Sequence, residues 1–269
     1  MKKILLILII ALLISYPFQY VGAVTAQYCF DGANTWASYW LEDELDNTAN
    51  NYDLTNNGSV TFPAGLFDNG GSLGTSNSTK WLENSTSLGW AGGDVSIYFR
   101  IKILTDSGTQ ELIQIEDPTT TKTAITMRYN GGSDWTVYRY RINVGIVSVP
   151  ESIALGTTNF YNFVITYNAS TDDLKVYRDT VLIGTANNGL DGNTTTDPAH
   201  FSIGKGTGPD ISSANYSSAI YDEVVVENTV WDQTKIDAVN DRSDAAILTN
   251  CAGGGGGGGS IISPLILFE

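Results

Sequence analysis

Asp94-Val95-Ser96-Ile97-Tyr98-Phe99-Arg100-Ile101-Lys102-Ile103 is the stretch on which the fold is decided. Val95, Ile97, Phe99, Ile101 and Ile103 share one side of an extended chain, and Ser96, Tyr98, Arg100 and Lys102 share the other. A side-chain period of two sustained this long is a half-buried β-strand, one face in a core and one toward water. Similar runs follow at Glu111–Glu116, Ala124–Tyr129, Trp135–Ile142, Phe160–Tyr167, Leu174–Tyr177, Val181–Gly184, Phe201–Gly204 and Ile220–Glu227. Turn clusters such as Asn130-Gly131-Gly132 and Asn187-Asn188-Gly189 separate them. Many short strands without intervening helices predict an all-β, two-sheet antiparallel sandwich. One short C-terminal helix is predicted, capped by Asp232, with Ile236 and Val239 three apart on its apolar side.

Outward from these strands the chain changes character at both ends. Met1-Lys2-Lys3, the apolar run Ile4–Ile14 and the small residues Gly22, Ala23 and Ala26 have the anatomy of a secretory signal over residues 1–26. That run is well short of the roughly 20 residues a bilayer core requires. Residues 27–251 form the predicted domain; about 225 residues is within the range of a single β-sandwich. Residues 252–269 hold the glycine tract Gly253–Gly259 and an apolar tail too short to span a membrane. Cys29 and Cys251 stand at the two ends of the domain, and in an oxidising compartment that placement predicts a disulfide between them.

The net charge of −15 argues against nucleic acid and anionic membranes as partners, since both would be repelled. Removal of residues 1–26 takes away two lysines and no acid, so the remainder is more acidic still. These features predict a secreted or cell-surface protein whose mature domain does not insert in membranes.

Three blocks resemble the laminin G-like branch of the concanavalin A-like lectin/glucanase superfamily. The first is Tyr39-Trp40-Leu41-Glu42, Asn51–Gly58 and Gly65-Leu66-Phe67, similar to the family's opening strand and its Asn/Asp-rich turn. The second is Phe160–Tyr167 followed by Leu174–Asp179, similar to the central strand pair with its Tyr-x-Asp-Gly hairpin, although Thr180 replaces the glycine. The third is Phe201–Gly204, then Ile220–Val226, closed by the helix at Asp232. The resemblance implies a jelly roll that binds a glycan or a protein at a cell or particle surface, with no catalytic residues. It also implies Ca²⁺ as the cofactor where there is one, for which Asp172, Asp173, Asp191, Asp197 and Asp210 are the candidate ligands.

Two further readings stay open. The superfamily contains retaining glucanases, and period two puts Glu223, Val225 and Glu227 on one face, so Glu223 and Glu227 are the carboxylates a glycoside hydrolase would use. Val225 stands where those enzymes carry an aspartate. A structural envelope or virion decoration would suit the glycine tract and apolar tail. For ligand binding the aromatic candidate is Trp135, which alternation places beside Arg139 and Arg141 on a face read as solvated. Trp81 and Trp90 show no comparable pattern, and the single histidine, His200, stands just before a strand, which is the ordinary setting of a structural histidine.

Overall fold

The computed structural model describes residues 35–39, 41, 53–65, 70–74, 80–84, 88, 90, 92–106, 108–117, 122–129, 134–139, 147–152, 158–187, 200–205 and 216–240. The predicted signal, Cys29, Cys251, the glycine tract and the tail lie outside them. The elements in chain order are β1 Thr35–Tyr39, β2 Thr55–Asn57, β3 Gly71–Ser72, β4 Trp81–Asn84, β5 Val95–Ile103, β6 Gln110–Asp117 and β7 Lys122–Tyr129. They continue as β8 Asp134–Arg139, β9 Val147–Ser152, β10 Tyr161–Asn168, β11 Asp173–Arg178, β12 Val181–Asn187, β13 His200–Ile203, β14 Ala219–Glu227 and one helix, α1 Gln233–Asn240.

The strands make two antiparallel sheets. The first runs β1-β14-β5-β10-β11-β12, with β3 also paired to β14; the second runs β2-β4-β13-β6-β7-β8-β9. This is the predicted two-sheet sandwich. Its core lies between the sheets, where Phe99 stacks on Phe163 at 5.5 Å between ring centroids and Tyr39 of the first sheet meets Phe201 of the second at 5.9 Å. Burying such side chains contributes about 1.5–3 kcal/mol each.

The structure corrects the reading of β5. The apolar face is in the core as expected, but Ser96, Tyr98 and Arg100 of the opposite face are buried too, leaving Lys102 as the half-buried residue of that row. The cause is α1. Ile236 and Val239 join Trp231, Tyr98, Val164, Tyr177 and Val225 in a second, smaller apolar cluster on the outer face of the first sheet. The helix is held there by its cap, Lys235 N–H donating to Asp232 Oδ1 at 2.9 Å, and by Gln233 Nε2, which donates to Thr180 O at 2.9 Å.

Two local features depart from sequence rules. The β11–β12 turn is Asp179-Thr180 with φ of 47° and 75°, the paired positive angles of a type I′ hairpin, reached without glycine. Asp179 Oδ1 accepts from Asn162 N–H at 2.9 Å, which anchors the turn to β10. In β14 the register slips between Tyr221 and Val224, so Asp222 and Glu223 together face one residue, Arg100, of β5. That is a β-bulge, and it returns Tyr221 to the core side while Glu223, Val225 and Glu227 share the outer side.

Candidate functional site

The paired acids Glu223 and Glu227 stand on β14. Glu223 and Glu227 do share a face, as alternation predicts, but they lie beneath α1 with 4% and 2% exposure. Glu223 Oε2 is 3.2 Å from the Tyr98 hydroxyl and 3.9 Å from Arg100 Nη1. Arg100 Nε in turn donates to Asn162 Oδ1 at 2.6 Å, and Asn162 Nδ2 donates to Asn240 Oδ1, also at 2.6 Å, at the end of the helix. Glu227 Oε2 accepts from Trp231 Nε1 at 2.6 Å, from Thr229 Oγ1 at 3.3 Å and from the Lys235 ammonium. Glu227 ties the helix to the sheet directly through Lys235, and Glu223 does so through the relay of Arg100, Asn162 and Asn240. A depression of about 280 Å³ beside them is lined by Thr229–Asp232, Thr234 and Lys235, residues of the connection and helix rather than of the acid-bearing strand.

The metal candidates divide. Asp172 and Asp173 sit in the β10–β11 turn, where Asp172 is buried at φ 56° and accepts from the Tyr167 hydroxyl at 2.9 Å. Asp173 accepts from Asn187 Nδ2 at 2.7 Å and from Thr171 Oγ1 at 2.9 Å, and these two donors, Asn187 first, hold its carboxyl below the usual carboxylate range. Both are occupied in closing a turn. Asp191, Asp197 and Asp210 lie outside the described residues, and among the described residues no three His, Cys, Asp or Glu side chains gather in a way that could hold a metal ion. His200, half-buried, opens β13 in backbone register with Glu116.

The aromatic candidate Trp135 and its neighbour Arg139 belong to β8. Its backbone pairs Trp135 with Tyr129 and Arg139 with Ile125, both fully buried residues of β7. The side chains of Trp135 and Arg139, and the whole of Arg141, lie outside the description. Trp90 is in the core, its indole N–H given to Gly93 O at 2.9 Å.

Trp81 is the aromatic that the fold leaves half-open. It begins β4, whose Leu82 is fully buried in the core, so Trp81 and Glu83 project from the outer side of the second sheet. The indole N–H donates to Glu83 Oε2 at 2.9 Å. The Lys205 ammonium stands 4.1 Å from the indole centre, a cation–π contact, and the Tyr216 ring lies 5.7 Å away, tilted 37°. Lys205 makes no ion pair among the described residues, and Glu83 Oε1 has no hydrogen bond among them.

The local chain explains why these groups meet. β13 ends at Gly204, whose φ is +82° and whose N–H donates to Leu112 O at 2.9 Å. A Cβ there would stand 1.9 Å from Leu73 Cδ1, so only glycine lets the strand turn against the core. The turn delivers Lys205, which bridges to Tyr216 as the chain returns toward β14 and whose carbonyl accepts from Ser202 Oγ at 3.0 Å. Two aromatic rings, one donor and one acceptor thus gather on one surface. Where Lys205 leaves the aromatic area of Trp81 and Tyr216 uncovered, such a surface can take an apolar ring face by stacking and fix its orientation by hydrogen bonds. Sequence reasoning missed it because Trp81, Lys205 and Tyr216 are far apart in the chain; the one local signal was Trp81 two residues before Glu83 in a short strand.

A laminin G sequence profile described as the concanavalin A-like lectin/glucanases superfamily matches residues 54–237. No curated protein matches the chain. Among solved structures it is similar to a botulinum neurotoxin type C chain described as dependent on two ganglioside molecules for cell entry, at 14% identity and TM-score 0.57 over 77% of this chain and 51% of that one. It is similar to the binding domain of botulinum neurotoxin DC in complex with rat synaptotagmin II, at 11% identity and TM-score 0.59 over 77% and 51%. A heptameric SAP-like pentraxin from Limulus polyphemus aligns at 14% identity and TM-score 0.51 over 64% of this chain and 82% of that chain. The chain spans about half the length of the toxin chains it matches. At these identities the likeness speaks to the fold alone.

Proposed function

The chain belongs to the concanavalin A-like lectin/glucanases superfamily, and from that premise we propose that it is an exported, non-catalytic binding module whose ligand is a glycan held at Trp81. The observation that carries the reading is the half-open Trp81–Tyr216 pair with Lys205 and Glu83 at its margins. Aromatic rings take the C–H faces of sugars, while a charged donor and acceptor read the hydroxyls. The Glu223 and Glu227 carboxylates are read as structural in this proposal, because each is buried and hydrogen-bonded beneath α1. Export rests on the basic-then-apolar order of residues 1–14. Of the five calcium candidates, Asp172 and Asp173 are engaged in closing a turn, so a calcium dependence is assigned here to Asp191, Asp197 or Asp210.

A glycan array probed with the wild type, Trp81→Ala and Trp135→Ala tests the assignment. Loss of the indole is expected to weaken binding by at least about tenfold, the equivalent of about 1.4 kcal/mol. Binding that survives Trp81→Ala and fails in Trp135→Ala moves the site to β8. A protein ligand is the second reading, favoured by Val181 and Leu182, which stand 61% and 47% exposed just after the hairpin turn.

A further inference from the structure

We infer that the Trp81 surface selects neutral, hydroxyl-rich sugars and rejects anionic ones; this rests on the glycan reading above and names its ligand class. The inference comes from how the two charges of the site are placed. Lys205 and Glu83 are not paired with each other within ion-pair distance; the indole stands between them, with the ammonium over its ring and the carboxylate at its N–H edge. The Trp81 face draws the Lys205 ammonium toward itself, so its field is partly met by the ring, and an ammonium with three donors keeps hydrogen-bonding capacity for a ligand. The Glu83 carboxylate is met by a single neutral donor and keeps its negative charge beside the ring. Its Oε2 is taken by the indole N–H, and Oε1 has no hydrogen bond among the described residues.

A ligand stacked beside Trp81 therefore meets a donor on one flank and an anionic acceptor on the other. Sugar hydroxyls serve both, because each hydroxyl donates and accepts. A ligand carboxylate or sulfate can use Lys205, yet it can offer Glu83 nothing but like charge at short range. The remainder of the chain acts in the same direction. With a net charge of −15, the long-range field also works against the approach of anions. The short-range contacts are thus balanced for a neutral ligand, and the far field tips the choice away from acidic ones.

The experiment uses matched pairs on an array, each neutral hexose oligosaccharide printed beside its counterpart oxidised to carboxylates at C6, with affinities for the bound pairs then measured by calorimetry. The neutral member is expected to bind about tenfold tighter or more at low salt, with the ratio shrinking as salt screens the repulsion. Glu83→Gln, which keeps an acceptor for the indole N–H and removes the charge, is expected to narrow the preference while retaining neutral binding. A carboxylated member that binds as tightly as its neutral twin overturns the inference and leaves the Trp81 site standing, provided Trp81→Ala still abolishes both. If no member of any pair binds the wild type, the glycan reading itself fails and takes this inference with it.

Discussion

The outer faces of the two sheets carry similar residue types and use them oppositely. On the first sheet, Tyr98, Arg100, Glu223 and Glu227 look in sequence like a chemically armed surface, and the structure buries them under α1. On the second, Trp81, Glu83 and Lys205 look unremarkable in sequence and remain half-open. Alternation assigns a residue to a face, but what covers that face decides whether its chemistry is spent or available. Eight helical residues make the difference on the first sheet. The charged groups there tie the helix to the strand, and those beside Trp81 have hydrogen-bonding capacity left over.

That contrast can be broken by substitution. The largest effect is expected at Arg100. Arg100→Met leaves the Glu223 carboxylate buried with its cationic neighbour gone, a change that typically costs about 3–5 kcal/mol. Urea unfolding measures it; a loss under about 1 kcal/mol would mean that this face is wetter than its burial implies. Gly204→Ala comes next, at about 3 kcal/mol, from the clash with Leu73 and the positive φ together. It should lower both stability and glycan affinity, because the same residue delivers Lys205 to the Trp81 surface.

Tyr221→Phe is expected to cost about 1 kcal/mol, through loss of hydrogen bonds to Leu112 O at 2.7 Å and Ser217 Oγ at 3.1 Å. Leu112 O keeps a bond from Gly204 N–H, which limits the damage. The pH dependence has a definite sign. Burial is the main cause pushing the Tyr221 phenol up, so its stabilising contribution is whole below the unfolded pKa of about 10 and is lost as pH rises beyond it. The phenylalanine variant should therefore lose stability less steeply above that pH, which thermal melts across the alkaline range would show. The smallest change is a gain. Thr180→Gly relieves a β-branched residue at φ 75° and should stabilise by up to about 1 kcal/mol, net of the extra unfolded-chain entropy.

Much of the fold was legible because it rests on period-two patterning. All eight runs read after Val95–Ile103 correspond to strands, and Asp232, Ile236 and Val239 do in α1 what their spacing predicts. Of the strands that escaped, three have plain physical reasons. β2 and β3 are too short to show a period. β9 contains Pro150, which ordinarily argues against a strand, but it lies at the end of its sheet, where a missing N–H is tolerated. Thr180 argued against a type I′ turn, and the turn forms anyway, anchored by Asn162 and by Gln233 of the helix. The candidate site was less legible. Glu223 and Glu227 were placed on the correct face, but no local pattern announces the helix that covers it. Trp81 was passed over because its partners arrive through Gly204 and the return to β14.

The most direct measurement is a titration of the protein with an array-selected neutral oligosaccharide, following the tryptophan indole N–H resonances by NMR. The Trp81 signal is predicted to shift in proportion to occupancy while those of Trp90 and Trp231, buried with their N–H groups bonded to Gly93 and Glu227, stay in place. A shift confined to Trp135 or Trp231, with Trp81 unmoved, would contradict the account.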